Sequence, residues 1–431
     1  MSNRHDTTEG PVMRERTPRL SHSGTEKPSI ALGETLRRWL RAQAKRLGWG
    51  SLAILFAVEG CAMQPAAQGS SGNSVPWIQF WNSYQVKFID PQGRVIDWDD
   101  GGITTSEGQS YALFFALVAN NPKLFQKILT WTQDNLAQGS LAAHLPAWRW
   151  GERPNKTWGV LDGNSAADAD LWIAYTLIQA GRLWGRDSYT ALGTLLAKRI
   201  ARKEVVTLPG TGPMLLPGKH GFRVAADTYI FNPSYLPLPV VEGLAHALPH
   251  GPWRAMATHL PTFIKAVSPH GFAPDWVAYS AQQGYHVAPQ GPNASYNAIR
   301  VYLWAGMSNL NTPGAQRILD QVSGMANYLQ SHLLPPVSEN WVTGVPAGVG
   351  PTGFSAALIP YLMQKGMKPA LRNQWLRLTA DQDQASGLYG KTPHYYDQNL
   401  ALFALGWVYH TIRFGRDGEL RPAWLDREMT K

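Results

Sequence analysis

At 431 residues, with 18 Trp, 16 Tyr and 13 Phe among 44% hydrophobic residues, the chain has material for one large core or two ordinary domains. Its net charge of +9 is unevenly spread: residues 1–60 hold ten Lys/Arg against six Asp/Glu, and the rest of the chain keeps only +5. No basic cluster is interleaved with aromatics, so no nucleic-acid partner is expected. The one cysteine, Cys61, excludes an intramolecular disulfide and a cysteine-rich zinc site. The 12 His are scattered, and no His-Glu-x-x-His, Walker loop, dinucleotide-binding glycine motif or Gly-x-Ser-x-Gly elbow is present. No metal and no cofactor are expected.

The N-terminal segment reads as a leader. Arg37-Arg38-Trp39-Leu40-Arg41 and Lys45-Arg46 precede the apolar run from Leu47 to Val58, and small residues follow. That is the pattern of an export signal, too short to span a membrane comfortably. Val58-Glu59-Gly60-Cys61 resembles a bacterial lipoprotein cleavage box, with Glu59 as its poor fit, which makes Cys61 a candidate for lipidation and a membrane tether. A buried free cysteine or a plain signal peptide are the alternatives. Residues 1–61 are therefore assigned to leader and signal, 62–75 to a flexible linker, and 76–431 to the folded domain. The mature protein is expected in the periplasm, or on a membrane facing it.

From Val75 onward the pattern is helix after helix. Trp77, Phe80, Trp81, Tyr84 and Phe88 form one apolar stripe, and Pro122 opens a second periodic run through Leu136. Ser165–Trp184 and Asp187–Ile200 are joined by Gly185-Arg186, a short helical-hairpin link. Further helices are expected over Trp253–Val267, Tyr296–Trp304, Thr312–Leu333, Gly353–Gln364, Pro369–Leu378 and Tyr395–Arg413. No alternating strand exceeds a few residues; the best is a hairpin around Phe88–Asp97 turning at Pro91-Gln92-Gly93. Many helices are hydrophobic all round, which fits two concentric layers better than a bundle with an exposed side. Six helical hairpins of about 60 residues would account for the folded part.

The stretch Thr104-Thr105-Ser106-Glu107-Gly108-Gln109-Ser110-Tyr111 runs into Ala112-Leu113-Phe114-Phe115-Ala116-Leu117 and reads as the start of an enclosed helix. Thr104 and Glu107 have capping-box spacing. Ser165 and Asp168 repeat that spacing 61 residues on, about one hairpin later. Both acids would then begin equivalent helices at one end of the molecule. Two carboxyls converging on a cavity suit glycoside hydrolysis, in which one protonates the leaving oxygen. A helix N-terminus disfavours that proton, whereas burial and a nearby carboxylate favour it. The same pattern is also what two ordinary caps look like. Trp148 and Trp150 lie in a Pro- and Gly-bounded loop, where indoles serve as platforms for the apolar faces of sugars.

Thr105-Ser106-Glu107-Gly108-Gln109-Ser110-Tyr111, Ala167-Asp168-Ala169-Asp170-Leu171-Trp172-Ile173-Ala174, Phe231-Asn232-Pro233-Ser234-Tyr235 and Tyr296-Asn297-Ala298-Ile299-Arg300 resemble, in order, the motifs of family 8 of the glycoside hydrolases. The likeness covers about Pro76 to Trp424 and is strongest to the periplasmic endoglucanases of bacterial cellulose synthase operons. It implies an all-α fold, an (α/α)6 barrel with a substrate cleft at one end. The implied activity is endo-acting, inverting hydrolysis of β-1,4-glucan in support of cellulose synthesis and secretion. By the same likeness Glu107 matches the general acid, and Asp168 matches the aspartate described as nucleophile or as the grip on the sugar at the cleavage point. Tyr235, Tyr296 and Arg300 match residues that position sugar and water, and Trp148 matches a stacking platform.

Two positions depart from the family pattern. Ala167 replaces the usual Ser or Thr. Asn297 stands where this branch carries the aspartate that activates water, and an amide does not accept that proton at ordinary pH. Asp227, Asp275 and Asp397 are the substitutes available in loops or at helix ends. Asn297 also opens two other functions: a non-catalytic glucan-binding protein on the same barrel, or a chitosanase-like hydrolase whose base lies elsewhere. The expected partners are a β-1,4-glucan chain and the cellulose synthase secretion complex, with the protein itself a monomer.

Overall fold

The computed structural model describes the backbone of residues 75–428. The export segment, Cys61 and the linker up to residue 74 lie outside the described residues; Val75, the last residue assigned to that linker, opens the first helix.

Six helices are buried around their whole circumference or nearly so: α2 (Ser106–Val118), α4 (Ala167–Trp184), α6 (Leu238–Ala247), α8 (Ile299–Met307), α11 (Thr352–Gln364) and α13 (Tyr395–Val408). An all-round apolar helix is stable only when enclosed. The partners that enclose them carry a polar face: α3 (Pro122–Leu136), α5 (Asp187–Lys203), α7 (Trp253–Val267), the short pair α9 (Ala315–Gln321) and α10 (Gly324–Tyr328), and α12 (Lys368–Ala380). α1 (Val75–Phe88) packs on α13 and completes the outer layer. Around the inner ring α2 packs on α4, α4 on α6, α6 on α8, α8 on α11 and α11 on α13. Phe403 of α13 closes the ring through ring contacts with Tyr111, Phe114 and Phe115 of α2. The expected (α/α)6 barrel is what forms. A short helix α14 (Ala423–Glu428) follows.

The barrel axis is filled by aromatics. Phe403 also meets Trp172 of α4 and Trp304 of α8, at centroid distances of 5.2 and 5.0 Å. Edge and tilted geometries predominate, as the ring quadrupole favours. The inner helices also approach closely. A Cβ on Gly306 of α8 would lie 2.2 Å from the Tyr361 backbone nitrogen of α11, so only glycine fits there.

The strands are short, between two and five residues, and antiparallel. β1 (Thr104–Thr105) pairs with β2 (Arg149–Glu152), which pairs with β3 (Trp158–Asp162). β4 (Val205–Leu208) pairs with β5 (Gly212–Leu215), β6 (Thr228–Phe231) and β8 (Gly284–Val287) flank β7 (Val277–Ser280), and β9 (Asn293–Ala294) and β11 (Val345–Ala347) flank β10 (Ser338–Asn340). Every one lies in a connection from an outer helix to the next inner helix, or just before an inner helix. Inner-to-outer connections are brief by comparison, such as Gly185-Arg186 between α4 and α5. The long segments therefore gather at the N-terminal ends of the inner helices.

Several expected boundaries move. The hairpin at Phe88–Asp97 reduces to a single bridge between Ile89 and Val95. The Thr312–Leu333 helix is broken into α9 and α10, because the Gly324 N–H bonds the Gly271 carbonyl at 3.1 Å and a Cβ on Gly324 would lie 2.6 Å from the His270 carbonyl oxygen. The helix expected from Tyr296 begins at Ile299. Gly306→Ala should lower the unfolding free energy by about 1–3 kcal/mol through overpacking at the α8–α11 contact. Urea unfolding monitored by circular dichroism, with an unchanged slope, is the check.

Candidate active site

The site assembles where the inner helices begin. Thr105, not Thr104, caps α2: its hydroxyl accepts the Gly108 N–H at 3.2 Å. Thr104 is held in β1 instead, donating to the Val95 carbonyl at 2.7 Å. Nor is Ser165 a cap, since its hydroxyl donates to Glu204 at 2.5 Å and the cap position before α4 is Ala166, which makes no side-chain cap bond. Glu107 and Asp168 are thus released from capping and turn toward the barrel axis.

Both acids meet Arg300 of α8. Its Nη1 donates to Glu107 Oε2 at 2.6 Å, to Asp168 Oδ2 at 2.9 Å and to the Tyr111 hydroxyl at 3.0 Å. Its Nη2 donates to Asn297 Oδ1 at 2.7 Å. Arginine only donates, so the amide oxygen must face it and the amide NH2 points away. The Tyr235 ring receives the guanidinium at 5.5 Å. Arg300 and Asp168 side chains are each 3% exposed, whereas Glu107 keeps 19%, the accessibility a proton donor to a bound sugar requires. The shared Nη1 limits the separation of the two carboxylate oxygens to 5.5 Å, the length of both contacts laid end to end.

Burial lifts the Asp168 carboxyl to about 6, against the pull of Arg300 and with a push from Glu107. A second N–H, from Ala169 at 2.8 Å, holds its other oxygen.

Trp148 is fixed by its backbone, its N–H donating to Asn164 and its carbonyl accepting from Ser106, the residue before Glu107. Tyr296 packs edge-on against Phe354 at 5.1 Å, and its carbonyl accepts from the Tyr396 hydroxyl at 2.5 Å. Every residue expected at the site is therefore gathered at one end of the barrel. Tyr111 and Tyr396 were not singled out from the sequence. Tyr111 was hidden in an apolar helix start, and the doublet Tyr395-Tyr396 at the head of an inner helix was the only signal for the second. Gly108 has a reason of its own: a Cβ there would lie 1.9 Å from the Tyr395 hydroxyl.

Comparison with known proteins agrees with this geometry. The family described as "Glycosyl hydrolases family 8" matches residues 58–410. The chain belongs to family 8 of the glycosyl hydrolases. It is 46% identical over 346 residues to an endoglucanase of Salmonella typhi, covering 80% of this chain and 90% of that protein. To an endoglucanase of Xanthomonas axonopodis pv. citri it is 42% identical over 391 residues, covering 90% and 97%. A crystal structure of an endo-1,4-D-glucanase from Vibrio fischeri ES114 superposes with a TM-score of 0.76 at 39% identity, covering 81% of this chain and 99% of that one.

Within this family 8 site the three substitute acids differ in setting. Asp275 is 1% exposed and clamps the approach to α8: its Oδ1 accepts the N–H groups of Ser295, Asn297 and Ala298 at 2.8, 3.0 and 2.7 Å. That clamp is why α8 starts later than its apolar pattern. Asp227 is exposed on the loop before β6, where it accepts from Thr228. Asp397 is buried at the head of α13, which pushes its carboxyl up to about 6 against the pull of His394, the Gly353 N–H and Arg377.

Behind Asp168 lies a further acid pair. Asp170 and Glu204 are fully buried and close enough to influence each other's charge. Burial raises both carboxyls: Glu204 is pushed up to about 8 against the pull of the Ser165 and Asp170 side chains, and Asp170 is raised further by the neighbouring Glu204. The Ser165 hydroxyl bonds Glu204 and accepts the Lys219 N–H at 3.0 Å, tying the head of α4 to the following loop.

This pair gives stability a pH dependence. Between the ordinary value of 4.5 and about 8 the folded protein binds more protons than the unfolded chain. The stabilisation is complete below pH 4.5 and is lost as pH rises through 8. Relative to wild type, Glu204→Gln should flatten the fall of Tm between pH 5 and 9 measured by scanning calorimetry. Parallel Tm curves for the two proteins would rule the buried proton out.

Proposed function

We propose that this family 8 protein is an endo-acting β-1,4-glucanase working with inversion. The observation that carries it is the single buried guanidinium joining Glu107, the more exposed acid, to the buried Asp168 at the end of the barrel where the long loops gather. Glu107 donates the proton to the leaving oxygen, and Asp168, the more buried acid, grips the sugar together with Arg300 and Tyr235. Trp148 supplies a stacking face. Water attacks the anomeric carbon from the Asn297 side, where Tyr296 and Tyr396 line the cleft, as the leaving oxygen takes its proton from Glu107. The endoglucanase relatives support a cellulose-type glucan as substrate.

The Asn297 amide favours a second function, a glucan-binding protein with little or no turnover, because the proton acceptor is missing where water is to be activated. Glu107→Gln should abolish nearly all release of reducing ends from carboxymethylcellulose while binding persists. General-base help is worth roughly 10²–10⁴-fold, so Asn297→Asp should raise kcat by at least about tenfold with little change in KM. The first-formed ends should be the α-anomer by proton NMR. A robustly active wild type that Asn297→Asp leaves unchanged places the base elsewhere, and wild-type hydrolysis that depends on Glu107 removes the binding-only function.

The basic and apolar run before Cys61 supports export to the periplasm, a role beside the cellulose synthase secretion complex, and lipid attachment at Cys61. The protein acts there as a monomer. Cys61→Ser should move the protein from the membrane fraction to the soluble periplasmic fraction; an unchanged distribution argues for a plain signal peptide.

A further inference from the structure

The β2–β3 hairpin carries an indole that the site so far leaves unused. Trp158 sits at the outer end of the ladder, opposite Glu152, and is 49% exposed. Its inner neighbour Trp150 is packed edge-on against Trp131 of α3 at 5.2 Å, so covering that helix does not require Trp158. The rings of Trp150 and Trp158 lie 5.3 Å apart, tilted by 34°. The Arg94 guanidinium lies over both, 4.6 and 4.8 Å from their centroids. Arg94 is itself pinned, its Nε donating to the Thr104 hydroxyl at 2.9 Å and its Nη2 to the Gly102 carbonyl. Trp158 is therefore a half-exposed ring fixed from beneath, where a free surface indole would swing.

The hairpin is continuous with the cleft. It springs from Trp148, whose carbonyl accepts from Ser106, and β2 pairs with the Thr105 that caps the Glu107 helix. Arg149 lies over the Trp148 ring at 5.7 Å and also pairs with Asp100 at 3.0 Å, which braces the rim. Trp148, Trp150 and Trp158 thus belong to one hairpin whose inner end is anchored beside the Glu107 helix.

We propose that Trp158 is an outer platform on which a β-1,4-glucan chain stacks beyond Trp148, so that long chains are held more tightly than short ones. The inference rests on the hydrolase function proposed above. A β-1,4-linked chain offers flat C–H faces to an indole, and a ring already immobilised by Arg94 loses little side-chain entropy on binding. The glucan is the partner that the adjoining cleft supplies.

The test compares wild type, Trp158→Ala and Trp158→Tyr on carboxymethylcellulose and cellopentaose, with retardation in native gels containing hydroxyethylcellulose as a readout independent of turnover. For Trp158→Ala the ratio of kcat/KM on polymer to that on cellopentaose should fall about three- to tenfold, mainly through KM, the size expected for one aromatic stacking contact. Retardation should weaken, and Trp158→Tyr should recover most of both. An unchanged ratio in an active enzyme overturns the proposal. So does a parallel loss on both substrates that tyrosine does not repair, which marks a merely structural ring. A wild type that cleaves neither substrate defeats the hydrolase function alone; the platform then stands or falls on whether Trp158→Ala weakens retardation.

Discussion

The Arg300 guanidinium is the constraint on which the active end depends. An arginine this deeply buried is costly unless its charge and donors are matched. Here two carboxylates, a phenol, an amide oxygen and an aromatic face do the matching. The partners come from α2, α4, the turn before α6 and the approach to α8. Closing the inner ring and assembling the site are therefore the same event. Removing either acid would leave a buried cation under-compensated, so both are held by stability as well as by chemistry.

The topology then does the rest. Each inner helix is entered through a long connection and left through a brief one, so the material for a cleft accumulates at one end. Helix N-termini at that end favour ionised carboxylates, yet Asp168 is lifted to about 6, burial and the neighbouring Glu107 prevailing over Arg300 and the Ala169 N–H. Glu107, partly open to solvent, differs from it in accessibility rather than in residue type. Asp170 and Glu204 add a buried proton behind this arrangement, so negative charge does not accumulate without limit around the cation.

The layers were legible because an inner helix such as Ser106–Val118 is apolar all round, and no surface helix can be. The acids were legible through their matched positions at the heads of neighbouring inner helices. What failed was local and had non-local causes. Thr104 looked like the cap, but pairing with Trp150 in β2 extends the strand by a residue and passes the role to Thr105. Tyr296 looked helical until Asp275, some twenty residues earlier, took the N–H groups around it. The hairpins were invisible because strands of at most five half-exposed residues carry almost no alternation. Nothing in the order of residues brings Arg94 between Trp150 and Trp158.

Asn297 is best understood through the same cation. With an aspartate there, three carboxylates would surround one guanidinium, and Asp168, already lifted by burial and by Glu107, would be pushed further toward its neutral form. An amide keeps the hydrogen bond to Arg300 while removing that third charge. Its outward NH2 can hold a water or a sugar hydroxyl as a donor, but its lone pair is delocalised into the carbonyl and does not take a proton. The amide therefore relaxes the electrostatics around Arg300 relative to a carboxylate at the same place.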